Sequence, residues 1–409
     1  MKFMYFFLPS IPATPEERKA LRPIAHHTER IQRMFDEVVE ISKMAEDLGF
    51  TGVGFPEHHL HTEGMEFGSL PVLTQHVIHH TSTLSVGPIG YVLAGWNPLR
   101  LALEIAWLDQ LTKGRTHVGF ARGYQSRWLN QMAQKLNIGA TLSDQSEVDK
   151  NNREAFEEVF QILKLAWKDE PFRFKGKHYQ YPFPYEEGTP WGASEWTRTH
   201  GSPGEIGENG NVQAIDIVPK PYQKPHPRLF QAFSASDETI GWCAREGIIP
   251  TIFVADHERV RHLAELHVRE AKTVGRDVAF GESIGVLRGM YCADNMENAK
   301  KLLTAGMVGY GFRNFFHQFG FTEGFRTEED NRKYGDQPLP LSECTTERMI
   351  DSNFALAGTP DDIRRGLDKL IEAGNPEWFI WQGDQGLLPF DELKAMIEKV
   401  GKEVLPHYR

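Results

Sequence analysis

A (β/α)8 barrel is the fold class this sequence predicts, with long insertions over the carboxyl ends of its strands. Eight short runs of apolar, β-branched and aromatic residues recur along the 409 residues, nearly all separated by segments of helical periodicity. None shows the alternating polar face of a half-exposed antiparallel sheet. No GxGxxG follows the first run, which weighs against an open doubly wound, dinucleotide-binding sheet.

Residues 2–8 read as the first strand and 9–27 as a polar, proline-containing loop. Residues 29–48 read as a helix, with Ile31, Phe35, Val38, Ile41, Ala45 and Leu48 on one face and Gly49 at its end. A second strand at 51–56 delivers Glu57, His58 and His59, and 69–80 reads as a helix. The third strand is expected over 85–93. Asn97 then caps a helix with Pro98 at its first position. Leu101, Ile105, Leu108 and Leu111 recur at helical spacing, and Lys113-Gly114 closes that helix. A fourth strand over 116–121 makes the unit βαβ, so its two strands are parallel.

Residues 126–139 are expected to be partly helical, and 147–167 form a strongly amphipathic helix. A hairpin is expected in 172–183 around Lys175-Gly176. Residues 184–211 lack periodicity and are rich in Gly, Pro, Ser, Glu and Trp, the mark of an insertion over the working face. Strands follow at 228–233, 248–254, 283–292 and 377–382. Helices follow at 238–246, 258–273, 296–308, 360–374 and 390–404, with Thr359 as a cap and Asp361 and Asp362 in the first turn. Residues 312–343 carry aromatics and charges without period, as a lid or subunit contact would. One domain over 1–409 is expected, with insertions near 180–215 and 310–345.

The net charge of −11, with Lys and Arg scattered, excludes nucleic acid and anionic membranes as partners. Cys243, Cys292 and Cys344 are odd in number and widely spaced, which points to a reducing compartment without a disulfide framework. The N-terminal apolar run stops at Pro9, too short for a signal peptide or a membrane span, so a cytoplasmic protein is expected.

A barrel places its chemistry past the carboxyl ends of its strands. Those ends are Glu57/His58/His59, residues 91–96, Ala121/Arg122, residues 234–237, Ala255/Asp256 and Gln382. His58 and its neighbours suit proton transfer near neutral pH. His59 and His61 admit a metal site, and plain packing is the third reading. Arg122 has a planar fork for a phosphate, or for a structural ion pair. Ser234, Ala235 and Ser236 lie where a strand hands over to a helix, an anion seat or simply a cap.

The EHH after the second strand, VGPIGYVLAGWNPLRLALEIAWLDQLTKGRTHVGFARG, FSASDET and AGTPDDI, in this order, resemble the bacterial luciferase-like, flavin-dependent monooxygenases. The resemblance implies a (β/α)8 barrel that uses reduced FMN (FMNH2) from a separate flavin reductase, with O2 as co-substrate. Oxygen then adds to the flavin, and the peroxyflavin oxidises a small organic substrate. It implies that His58 is the catalytic base, that Arg122, Ser234 and Ser236 hold the phosphate, with Ala235 between them, and that Ile89-Gly90 is a non-prolyl cis peptide beneath the flavin ring. Ala121 stands where bacterial luciferase has a reactive cysteine, a departure that weighs against light emission with long aldehydes. The resemblance also implies a homodimer or homotetramer. The aromatic supply near the mouth points to an apolar or cyclic substrate. A metal-dependent barrel hydrolase and a non-catalytic flavin-binding protein are the alternatives.

Overall fold

The computed structural model describes residues 1–409. Ten strands form one sheet. Eight of them are the expected barrel strands: β1 (Lys2–Phe6), β2 (Gly52–Phe55), β3 (Ser85–Pro88), β4 (His117–Ala121), β5 (Arg228–Ser234), β6 (Ile249–Ile252), β7 (Gly285–Cys292) and β8 (Trp378–Gln382). Their spatial order is β3-β2-β1-β8-β7-β6-β5-β4. The register of β1 with β2 and β8, and of β2 with β3, is parallel. Helices α1 (Thr28–Asp47), α2 (Leu70–His79), α3 (Pro98–Thr112), α4 (Glu147–Ala166), α5 (Asp237–Glu246), α6 (His257–Thr273), α7 (Met296–Ala305), α8 (Pro360–Gly374) and α9 (Phe390–Glu403) alternate with them. No helix is long and apolar enough to cross a membrane.

Contacts divide the chain into two compact units. The first comprises Met1–Tyr91, His117–Phe120 and Leu229–Arg409, and the second Val92–Thr116 and Ala121–Arg228. In the first unit the gap between the end strands β3 and β4 is closed by glycines. A Cβ on Gly87 would lie 1.9 Å from the His117 carbonyl oxygen, and one on Gly90 2.1 Å from the Gly119 carbonyl carbon. Only residues without a side chain allow two backbones to approach so closely. Lower in the barrel, His117, Phe230 and Trp378 meet edge to face, with centroids at 5.5 and 5.3 Å. That contact places Trp378 inward, and the two-residue period carries Gln382 to the same face of β8. The segment after α7 is pinned by rings. Phe312 and Phe321 lie 6.2 and 5.7 Å from Phe253, just past β6, and Phe315 lies beside Phe316. The Ala255 N–H donates to the Gly324 carbonyl at 2.7 Å, so the segment lies over the strand ends as a lid.

In the second unit α3 packs on α4, and the Trp167 indole donates to the Ala102 carbonyl at 3.2 Å. Asn97 caps α3, and Ser146 caps α4. Asp109 is buried and accepts from the Gln223 backbone and side chain, both at 2.7 Å.

Several expectations need correction. Strand β3 stops at Pro88, and after the cis Ile89–Gly90 peptide the chain enters a separate two-residue strand, Tyr91–Val92. Leu111 is 62% exposed, since Asp109 and Thr112 occupy the buried face there. Helix α7 ends at Ala305 and passes into a π-turn over Met307–Gly311. The insertion has structure of its own, since Thr189–Pro190 pairs with Asn211–Val212 and Ser194–His200 is helical, whereas the hairpin expected just before it is present, with Phe174–Lys175 paired to Gln180–Tyr181. Ala355–Gly358, not expected as a strand, pairs with Gly289–Cys292, while β8 takes the first half of β7.

The close approach at Gly87 has a measurable consequence. Gly87→Ala should destabilise the protein by about 3 kcal/mol in urea unfolding, because neither backbone has room to yield. Gly192→Ala, with nothing within 4 Å of the added Cβ, should stay within about 0.5 kcal/mol of wild type.

Candidate active site

The loop after β2 gathers ionisable side chains that water hardly reaches. Glu57, His58, His61 and Glu66 are all buried, Glu66 completely. The Nδ1 of His58 lies 2.7 Å from Oε2 of Glu66. The other Glu66 oxygen accepts from Gln385 Nε2 at 2.5 Å. The Glu66 N–H donates to Ser10 Oγ at 2.9 Å, and that hydroxyl donates to the Leu8 carbonyl at 2.8 Å. Burial by itself would raise the Glu66 carboxyl. The facing His58, with His61 and Gln385, outweighs it and holds the group below its ordinary value. The Glu66 backbone has a φ of +54°, a left-handed conformation that costs a side-chain-bearing residue about 1–2 kcal/mol. Such strain persists only where the surroundings fix it.

The neighbouring histidines turn to separate carboxylates. His59 Nε2 is 3.1 Å from Glu57, and His61 Nδ1 is 3.7 Å from Glu63. The His61 ring is stacked with His58 at 6.0 Å and meets Phe315 of the lid at 6.1 Å. Arg18, on the short helix Pro15–Ala20, ties these loops together. Its guanidinium donates to the carbonyls of Glu63, Gly64, Ile11 and Gln385 at 2.7 to 3.0 Å.

Other predicted positions lie at neighbouring strand ends of the same unit. Ile89 is buried, and its N–H donates to the Phe55 carbonyl at 2.8 Å. Ser234 is buried, with its hydroxyl donating to the Gln231 carbonyl at 3.2 Å. Ala235 and Ser236 are exposed, and Ser236 caps α5 by accepting from the Thr239 N–H. Arg259 donates to the Ala235 carbonyl and pairs with Asp237. Gln382, 4% exposed at the top of β8, has an Oε1 without a partner. Buried polar atoms normally have partners, so an orphan at the carboxyl end of a barrel strand suits a ligand.

Ala121 and Arg122 belong to the second unit. There the Arg122 guanidinium holds Asp149 at 2.7 Å and donates to Ser143, and Thr141 donates to the same carboxylate at 2.6 Å. Burial alone would raise Asp149. Thr141, Arg122 and Gln145 outweigh it and hold the carboxyl below its ordinary value. In this structure Arg122 therefore makes the ion pair that was the alternative reading of its side chain.

The model of the luciferase-like monooxygenases matches residues 1–375. The chain belongs to that family. Within it, the alkanal monooxygenase alpha chain of Photobacterium leiognathi is 32% identical over 390 residues, covering 92% of this chain and 94% of its own. The oxygenase component of the flavin-dependent trigonelline monooxygenase of Acinetobacter baylyi is 22% identical over 400 residues, covering 93% and 94%. Among solved structures, the oxygenating constituent of the 3,6-diketocamphane monooxygenase of Pseudomonas putida, a type II Baeyer–Villiger enzyme in complex with FMN, superposes with a TM-score of 0.71. It is 19% identical, over 99% of this chain and 98% of that one. As a member of the family it is a luciferase-like monooxygenase; the trigonelline relative is named flavin-dependent, and the diketocamphane structure holds FMN. Against such a group, the unpartnered Oε1 of Gln382 could accept from a polar ring edge, and the N–H groups at the start of α5 could meet a phosphate.

Sequence reasoning missed Glu66, Gln385 and Arg18. HTEGMEFGS, with Glu63 and Glu66, was the available signal, because a carboxylate set between Met65 and Phe67 needs a partner if it is buried. Gln385 lies 319 residues away from it, and no local pattern joins them.

The lowered Asp149 carboxyl gives a pH test. Its contribution is present above the unfolded value of about 4 and is lost as pH falls through the lower folded value. The stability gap between wild type and Asp149→Asn should therefore be full at pH 7 and close below about pH 4. A gap of constant size in urea unfolding from pH 7 to 3 would contradict the ion pair.

Proposed function

We propose that this chain is the oxygenase half of a two-component system. A separate reductase supplies reduced FMN, O2 is consumed, and a small apolar or cyclic organic substrate gains one oxygen atom. The observation that carries the reading is the buried, carboxylate-backed His58 at the end of β2, beneath the aromatic lid, in a chain of this family. The names of two relatives support it, one an oxygenase component and one solved with FMN. Three buried, free thiols suit a reducing, cytoplasmic setting.

Reduced flavin supplies, when bound, the electrons that activate oxygen. The protein's residues do the rest. The start of α5, with Ala235, Ser236 and the backbone at Ser234, is assigned the phosphate. Ile89 and Gly90 are assigned the ring, and Arg122, held by Asp149 in the second unit, is assigned no part in it. The lid rings Phe312, Phe315 and Phe321 exclude water, which would otherwise divert activated oxygen to hydrogen peroxide. His58 moves a proton at the reacting centre, a service worth about 10²–10⁴-fold in rate.

His58→Ala should bind FMN within about threefold of wild type in a fluorescence titration and lose about 10²-fold or more of product yield. Product is read by mass spectrometry as a gain of one oxygen atom, with bicyclic ketones and N-methylated pyridine carboxylates as the panel. Unchanged yield in the variant removes the role of His58. Wild type that neither binds FMN nor oxygenates any panel member overturns the reading.

A further inference from the structure

We propose that Glu66, held by Gln385, is the positioning residue that makes His58 work through Nε2 alone. The inference rests on the proton-handling role of His58 and adds the group that sets its proton inventory. A carboxylate only accepts hydrogen bonds. Glu66 Oε2 lies 2.7 Å from Nδ1, where a bare ring nitrogen would set two lone pairs against each other, so the proton of the neutral ring belongs on Nδ1. The lone pair then sits at Nε2, the reverse of the form an unconstrained imidazole favours in water.

Two further contacts fix Glu66, one at its carboxylate and one at its backbone. Gln385 donates to Oε1 at 2.5 Å, and Ser10 receives the Glu66 N–H at 2.9 Å. Gln385 is itself 1% exposed, and a Cβ on Gly311 would lie 2.4 Å from its Oε1, so its amide has little room to turn. Arg18 accounts for the Gln385 carbonyl at 3.0 Å. Every element packed here thus helps to hold one geometry: the loop after β1 through Ser10, the loop after β2 through Glu66, the π-turn through Gly311, and the loop after β8 through Gln385.

The consequence is electrostatic. When Nε2 takes a proton, an N–H bond forms there and the donor's X–H bond breaks, with no change of oxidation state. The resulting imidazolium faces an ionised Glu66, so the pair is neutral with the proton on and carries one negative charge with it off. Glu66 has no solvent exposure, and the attraction is therefore little screened. The other charged or titratable groups nearby are His61, stacked on His58, Glu63 beside it, the pair His59–Glu57, and, behind Gln385, Arg18 and the half-buried Asp384.

Histidine side-chain 15N NMR of the full-length protein, with and without FMN, tests this. His58 is assigned by the signal lost in His58→Gln. The expected result is a protonated Nδ1 and an unprotonated Nε2 in the neutral ring, reversed in Glu66→Leu. An Nε2–H tautomer in wild type overturns the proposal, and does so even if Glu66→Leu fails to fold. In turnover, Glu66→Gln should lose at least about tenfold in product yield with the Kd for FMN unchanged, and Glu66→Asp should recover most of it. A yield equal to wild type in Glu66→Gln also overturns the proposal. The expected tautomer in a wild type that oxygenates nothing would leave the pair standing and remove the oxygenase reading instead.

Discussion

A carboxylate with no access to water must be held by partners, and Glu66 is that constraint here. An isolated buried charge is expensive enough that a group normally neutralises instead. Glu66 stays acidic because His58, His61 and Gln385 surround it. Each partner comes from a position the barrel supplies: His58 and His61 from the loop after β2, Gln385 from the loop after β8, Ser10 from the loop after β1. Strand order makes this possible, because β1 lies between β2 and β8 in the sheet. The parallel barrel brings residues 319 apart in sequence within hydrogen-bond reach.

The rest of the first unit keeps that arrangement rigid and dry. Glycines at 87 and 90 let β3 approach β4, which closes the sheet beside the strand that ends next to Ile89. Arg18 clamps three loops by their carbonyls, a task its fixed fork of donors suits. The phenylalanines of 312–325 cover the strand ends at Phe233 and Phe253 and reach His61 through Phe315. A hydrophobic lid over a charged pair strengthens every electrostatic interaction beneath it.

Much of this was legible in the chain because its causes are local. Strand runs, the Asn97 and Thr359 caps and the position of His58 just past β2 depend on neighbours in sequence. The remainder depends on partners that composition cannot name. Nothing near Glu66 predicts Gln385, and nothing near Gly289 predicts that β7 divides its hydrogen bonds between β8 and Ala355–Gly358. Leu111 followed the helical period and still faces outward, because the buried Asp109 answers to Gln223, 114 residues on. Arg122 shows the limit most clearly. A guanidinium beside small residues at a strand end suits a phosphate or a carboxylate equally well, and only the fold reveals Asp149 beside it.

The central claim is that this barrel delivers one atom of molecular oxygen to an organic substrate through a flavin. A single turnover of the wild-type protein with reduced FMN and the ketone and pyridine panel, under 18O2, tests it most directly. The account predicts a product carrying one 18O atom drawn from the gas, with little hydrogen peroxide released. Recovery of all the label as hydrogen peroxide, with no labelled product from any panel member, would contradict it.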